Sequence, residues 1–483
     1  MKKISALLLA LAITLAMAGC SGSGTNAAAA TEQTPAATEQ AAPGTFSVGF
    51  GRADITPAYS VPLAGYGNTS QRMSEGFYDL QYTTCTAFTD ADGETVLLFH
   101  NDAIRTSENI VTASRSAISG ATGVPEDHIM ISATHNHSAP DTASSDASIS
   151  KWLPELTVAM TNAAVEAMED RKPAQMYIAS TTVKGVGFTR HYIMDDGSYC
   201  GDNFEGTGTT IVGHANEADR TLQLIKFVRE GGKDVVLANF QSHPHTGGGA
   251  RNYNITSDIV GSFRDMMEEE TDCLFTYFTG ASGNVNAKSR ITEENGSNDY
   301  IGQGQILAKA AMDAASTYTQ VQTGKVKVVG TSYEAEVNHD DDDKIEGAKI
   351  IQALWQETND RVRCVQEGAK YGIKSPYHAN AIVNRVKMDK TSTINEIDAF
   401  SIGDVAFITA PYEMFHQSGS YIKEHSPFKM TFIVTLANGS NSYMPTIDAY
   451  EYYSYECCLC KFKPGTAEIL ADKYVELLNS LHA

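Results

Sequence analysis

Positive charge is scarce in this chain: 36 lysines and arginines stand against 58 aspartates and glutamates, a formal net charge of −22. That balance argues against nucleic-acid binding and against docking on anionic lipid by charge. Cysteine is sparse as well, with eight in 483 residues. Cys20 closes an N-terminal leader, and the other seven are too thinly spread for a disulfide framework. The run Cys457-Cys458-Leu459-Cys460 invites a zinc-site reading, but no second CxxC completes four ligands, so it is left as structural. No apolar run reaches the ~20 residues needed to span a bilayer. There is no internal repeat and no domain-breaking linker after residue 46. The acidic run His339-Asp340-Asp341-Asp342-Asp343-Lys344 lacks the glycine and the twelfth-position glutamate of an EF-hand. It reads as a solvated loop.

A length of 483 residues with 42% hydrophobic side chains is ample for a sizeable core, in one large domain or a few ordinary ones. The N-terminus has Lys2 and Lys3, an apolar stretch from Ala6 to Met17, and then Met17-Ala18-Gly19-Cys20. This is a secretory leader, and it resembles a bacterial lipoprotein signal over residues 1–20 in which Cys20 becomes the lipidated first residue. Residues 21–45 are rich in Ser, Gly, Thr, Ala and Gln and read as a flexible tether. The expected location is the extracytoplasmic cell surface, anchored to the membrane through Cys20. The globular part runs from 46 to 483.

Within it, Phe46 to Pro57 opens as a strand ending in a proline turn. Val96 to Phe99 is an apolar strand preceded by the Asp92-Gly93 hairpin signal, and it delivers His100, Asn101 and Asp102 at its end. A helix from Ser107 to Ser119, closed by Gly120 and Gly123, separates it from a strand beginning at Ile129. Strand, helix and strand at this spacing predict a βαβ unit with reactive residues at the strand C-termini. Hairpins are expected around Gly231-Gly232 and Gly403-Asp404, and helices over Trp152–Met168, Thr256–Glu269 and Thr466–Leu481. The class is α/β, with mixed sheets flanked by helices in a single large domain.

The chemistry gathers where strands stop. Ile129-Met130-Ile131-Ser132-Ala133-Thr134-His135-Asn136-His137-Ser138-Ala139-Pro140 breaks from a β-leaning run into two histidines one residue apart. In extended backbone both would point to one face. A second pair, His243-Pro244-His245, ends another apolar run, and Glu413 and Tyr443 follow two more. A catalytic zinc takes about three nitrogen or oxygen ligands and keeps a position open. Two histidines and Glu413 meet that need, with a phenolate as a fourth ligand. On chemistry alone, ordinary loop residues remain an equal reading.

Phe50-Gly51-Arg52-Ala53-Asp54-Ile55-Thr56-Pro57, Ala133-Thr134-His135-Asn136-His137-Ser138-Ala139-Pro140, Ser242-His243-Pro244, Ser257-Asp258 and Ala437-Asn438-Gly439 through Tyr443 resemble the neutral/alkaline ceramidase family, in the same order from about 47 to 460. The resemblance implies a ceramidase-like catalytic domain without the family's C-terminal immunoglobulin-like domain. It implies zinc (Zn2+) held by His135, His243, Glu413 and Tyr443. It gives His137 and Arg190 the task of contacting substrate and steadying an oxyanion, and Asp102 that of orienting a ligand histidine. The family's Gly-Asp-Val-Ser-Pro-Asn element carries a serine nucleophile. Here Gly283-Asn284-Val285-Asn286-Ala287-Lys288 places Asn286 at that position. An amide cannot become an alkoxide, so the expected attacking group is water activated at zinc.

The implied activity is zinc-dependent hydrolysis of an amide, with ceramide or another N-acyl lipid as substrate. Two other readings compete with it. One is a metal-independent serine hydrolase using Ser282, although Gly280-Ala281-Ser282-Gly283-Asn284 lacks the last glycine of a nucleophile elbow. The other is a non-catalytic binding lipoprotein that keeps the fold.

Overall fold

The computed structural model describes residues 44–66, 72–202, 204, 206–247 and 249–483. The leader, Cys20 and nearly all of the tether lie outside these residues. Among the described residues no helix is long and apolar enough to cross a membrane.

Two sheets face each other. In the larger, the path runs Leu274–Thr279, Val235–Phe240, Thr221–Arg229, Lys172–Thr182, Ser47–Asp54, Tyr82–Thr89, Thr95–Asn101, Ile129–Ala133, with Thr319–Val321 pairing beside Lys172–Thr182. The smaller runs Val326–Glu336, Ser392–Ile402, Val405–Ala410, Met430–Thr435. Alternate residues of each strand turn inward. Val48, Phe50, Phe88, Leu98, Met130, Phe227 and Leu237 therefore meet Phe400, Phe407, Phe432 and Val434 in one buried cluster. Phe400 and Phe407 stack at 4.5 Å between centroids. Helices cover both outer faces. Ala147–Glu169 and Asp258–Thr271 lie on the large sheet and the C-terminal helix Thr466–His482 on the small one. The layers are helix, sheet, sheet, helix, the α/β class expected.

Close packing on the large sheet depends on glycine. A Cβ at Gly49 would sit 1.8 Å from the carbonyl oxygen of Ala167, and one at Gly51 2.0 Å from that of Ala163. The helix Ala147–Glu169 thus rests directly on the first strand.

Three parallel pairs position the site. Thr95–Asn101 runs beside Ile129–Ala133, Val235–Phe240 beside Leu274–Thr279, and Val405–Ala410 beside Met430–Thr435. Each requires a crossover, made by the helices Glu108–Thr122, Asp258–Thr271 and His416–His425. The first is capped by Gly123 in the left-handed region, φ 77°. Side chains tie the strand ends together across the sheets. Thr279 Oγ1 donates to the Thr134 carbonyl at 2.8 Å, and Thr435 Oγ1 to the Gly280 carbonyl at 2.9 Å. Asn438 accepts from the Ile131 N–H at 2.9 Å and donates to Asp398 at 2.8 Å. The Ala437-Asn438-Gly439 segment is therefore a clamp between the sheets.

The acidic run is not a solvated loop. Asp341 is buried and takes hydrogen bonds from His378 Nε2 at 3.0 Å and the Tyr453 hydroxyl at 2.9 Å, with Lys344 on its other oxygen. The helix Pro376–Met388 brings His378 and Arg385 to it, and Tyr453 adds its hydroxyl from farther along the chain, which sequence spacing alone does not reveal. All seven described cysteines are free and buried, so the Cys457-Cys458-Leu459-Cys460 run packs as thiols.

Asp398 carries a pH prediction. Burial, reinforced by the adjacent Glu396 carboxylate, pushes its carboxyl up to about 8. The unfolded group titrates near 4, so the folded state holds a proton that the unfolded state releases. Stability therefore falls as pH rises from about 4 to about 8 and flattens above. Asp398→Asn keeps an acceptor for Asn438 and supplies a neutral donor toward Glu396. Its melting temperature should draw level with the wild type near the acid end and exceed it progressively to about pH 8, a gain of up to roughly 5 kcal/mol. Parallel pH–stability curves for the two proteins would reject this assignment.

Candidate metal centre

His135 follows the strand Ile129–Ala133 with φ +65°, in the left-handed region. Few non-glycine residues adopt it, and at strand ends it accompanies function. Simple alternation is therefore not what brings the two histidines of this motif together. The strand has already ended, and the kink at His135 folds the next turn back. The rings of His135 and His137 lie 4.9 Å apart, edge to face. Backbone N–H of His137 donates to the Pro244 carbonyl at 3.0 Å, locking the two histidine motifs to each other. The His135 and His243 rings lie 4.6 Å apart.

Two carbonyls decide how these rings present themselves. His135 Nδ1 meets the Ile104 carbonyl at 3.0 Å, and His243 Nδ1 meets the Ser282 carbonyl at 2.7 Å. A carbonyl only accepts, so both Nδ1 atoms carry the proton and both Nε2 atoms present a lone pair. Those two Nε2 atoms each lie 3.2 Å from the same oxygen, Glu413 Oε2. Two lone pairs facing one carboxylate oxygen repel unless positive charge lies among them. Protons are a poor source of it, because burial, with Arg190 nearby, pushes His243 down to about 4. Glu413 is drawn well below the carboxylate range against the opposing effect of burial only where positive charge lies on the side facing His135 and His243. This donor set fits a divalent cation.

His137 adds a third nitrogen. Its Nε2 lies 3.4 Å from His135 Nε2, and ligand nitrogens of His135, His137 and His243 all fall within 4.8 Å of one another. Burial, then the neighbouring imidazoles, hold His137 well below its usual pKa, and among the described residues its buried Nδ1 has no hydrogen-bond partner. Gly65, at φ +100°, makes room for it, since a Cβ there would stand 2.5 Å from the ring. The sequence reading kept His137 out of the ligand set; the structure groups it with His135 and His243.

Tyr443 sits directly opposite Glu413 in the short parallel pair Glu413–Met414 with Tyr443–Met444. Arg190 lies over its ring, 5.5 Å from the centroid. Burial and the Glu413 charge push the Tyr443 hydroxyl far above its ordinary range. Arg190 is no surface residue. Its Nε meets Glu456 Oε1 at 2.6 Å, Nη2 donates to the Gly283 carbonyl at 2.7 Å, and Nη1 reaches Asn286 Oδ1 at 3.3 Å and Asp202 Oδ2 at 3.4 Å.

Asn286 thus lies in the site, bridged to His243 through the backbone. Ser282 lies beside His243 but contributes its carbonyl, and among the described residues its hydroxyl bonds to no imidazole. Asp102 does not reach a ligand histidine. It receives Arg264 Nη1 at 2.8 Å, Ser257 Oγ at 3.0 Å and the Tyr82 N–H at 3.0 Å. The carbonyl of Ile104, two residues on, takes the orienting role instead.

Sequence reasoning passed over Glu456, which is wholly buried and bonds His191 Nε2 at 2.9 Å as well as Arg190. An acid embedded in Tyr455-Glu456-Cys457-Cys458-Leu459 was the available signal. It also passed over Asp202 and Tyr66, the latter donating its hydroxyl to the His245 carbonyl.

The fold and this centre define an α/β protein whose strand ends converge three imidazoles and a carboxylate. Residues 46–290 match the sequence model of a family described as neutral/alkaline non-lysosomal ceramidase, N-terminal. The chain belongs to that family. Among curated proteins none matches it. A solved structure of neutral ceramidase from Pseudomonas aeruginosa is 16% identical and covers 90% of this chain and 74% of its own, with a TM-score of 0.68. A second, of a ceramidase complexed with C2, is 16% identical and covers 91% and 75%, with a TM-score of 0.66. At these identities the likeness is one of fold.

Proposed function

We propose that the protein is a zinc-dependent hydrolase of N-acyl amides, exported and held at the membrane surface through Cys20. The observation that carries the metal is the pair of Nε2 lone pairs facing Glu413 Oε2 at 3.2 Å each. His135, His243 and Glu413 would hold the ion, with Tyr443 beside them. A zinc ion held there would supply Lewis acidity toward a substrate carbonyl and a bound water.

The remaining steps belong to the chain. Glu413 supplies negative charge, and His135 and His243 supply nitrogen donors, to receive a cation. His137, unprotonated, offers Nε2 as a hydrogen-bond acceptor at the centre. Arg190 fixes the Gly283 carbonyl and Asn286, and its positive charge lies beside Tyr443, where charge developing on a carbonyl oxygen gains from it. Asn286 supplies no nucleophile. Family membership favours an N-acyl lipid over other amides.

Among the described residues no imidazole or carboxylate hydrogen-bonds the Ser282 hydroxyl. Ser282→Ala should therefore leave turnover within about twofold, under about 0.5 kcal/mol of barrier, and a loss of two orders of magnitude would revive the serine mechanism. The reaction class is tested on full-length, metal-replete protein with a panel of N-acyl amides, including a ceramide analogue, and matched esters. Release of fatty acid and amine is expected. No turnover on any substrate would favour a binding protein that retains the fold.

A further inference from the structure

The charges around Arg190 do not balance. Glu456, wholly buried, neutralises it through Nε at 2.6 Å, and Arg190 has a side-chain exposure of only 4%. Asp202 is a second carboxylate on the same guanidinium, at 3.4 Å from Nη1, and its other contact, from Asn286 Nδ2, is also 3.4 Å. Both distances lie at the long end of hydrogen bonding. Asp202 is therefore a surplus anion, loosely tied.

It is also more open to an arriving ligand than the groups of the metal centre. A third of its side chain, 33%, is exposed, against 19% for Glu413, 7% for His135 and none for His243. The rings of Tyr66 and His245 pack edge-on against His137. Asn286 explains the orientation of Asp202. The amide accepts from Arg190 with Oδ1 while donating to Asp202 with Nδ2, two tasks that a serine hydroxyl, one atom shorter, would have to divide. The residue that removes the family nucleophile is the one that holds this carboxylate at the site.

Resting on the hydrolase reading above, we propose that Asp202 is a specificity residue that recognises a cationic group on the amine half of the substrate, or the protonated amine released from it. Hydrogen bonds to an ionised carboxylate are about twice as strong as neutral ones. Among the described residues bonded to Arg190, Asp202 is the carboxylate left over once Glu456 has paired with it.

The test measures binding, not turnover. Full-length, metal-loaded protein is titrated calorimetrically with octylguanidinium and with octan-1-ol. The guanidinium stays protonated and offers no lone pair to a metal, so a preference for it reports the carboxylate alone. The wild type should favour the cation at least about tenfold. Asp202→Asn should bring the two within about twofold at unchanged metal content, and Asp202→Glu should restore the preference. Equal binding of the two probes by the wild type, or a preference that survives Asp202→Asn, overturns the assignment. Discrimination in a protein that hydrolyses nothing would sink the hydrolase reading and leave this one standing.

Discussion

His243→Ala is expected to yield a folded protein that retains under about 0.1 equivalent of metal and hydrolyses N-acyl substrates on the order of a thousandfold more slowly. The imidazole is wholly buried and reaches the centre from a strand end. Removing it leaves Glu413 Oε2 facing His135 alone and strips one of the three imidazole nitrogens gathered at the centre. Losing a single ligand-orienting partner typically costs 10–100-fold in affinity, and losing the ligand itself costs more. The backbone should persist, because the His243 N–H donates to the Val285 carbonyl whatever the side chain. Elemental analysis, circular dichroism and turnover on one preparation decide the matter. Full metal occupancy with wild-type activity would remove the centre from the mechanism.

Glu456→Ala is expected to cost about 3–5 kcal/mol of stability. The carboxylate is wholly buried and bonds Arg190 on one oxygen and His191 on the other. Arg190 and His191 draw it far below the usual carboxylate range against the opposing effect of burial. Its removal leaves a guanidinium inside the protein with only carbonyl, amide and distant carboxylate partners. Glu456→Gln keeps the shape and one acceptor, and so should cost less. Denaturant titration measures both. A Glu456→Ala protein as stable as wild type would show that Asp202 and solvent can replace the pairing.

His243→Ala acts on the centre with little effect on the fold, whereas Glu456→Ala acts on the fold and reaches the centre through Arg190. Arg190 releases its hold on Gly283 and Asn286 once its principal counter-ion is gone. Activity should therefore fall in Glu456→Ala while metal is retained.

Much of the architecture was legible because its signals are local. The hairpin around Gly231-Gly232 forms between Thr221–Arg229 and Val235–Phe240, and the one around Gly403-Asp404 between Ser392–Ile402 and Val405–Ala410. The βαβ unit ending in the first histidine motif forms as its spacing implies. Where the reading failed, the deciding contact was distant. The run at Asp341 looked solvated because its partners His378 and Tyr453 lie 37 and 112 residues away. Asp102 looked placed to hold a histidine, but Arg264, 162 residues on, claims it.

The amino-acid order by itself determined the strands, their punctuation, and the residue types that stand at their ends, because periodicity, turn glycines and imidazole chemistry act over a few residues. It also determined that residue 286 carries an amide, which rules out an alkoxide there in any fold. Only the packing of one sheet on the other decided that His135, His243 and Glu413 meet. That convergence rests on parallel crossovers and on clamps such as Asn438 between strands some 300 residues apart in the chain. Only the tertiary structure could give Arg190 a buried partner and leave Asp202 exposed, since burial decides which of two carboxylates neutralises a cation.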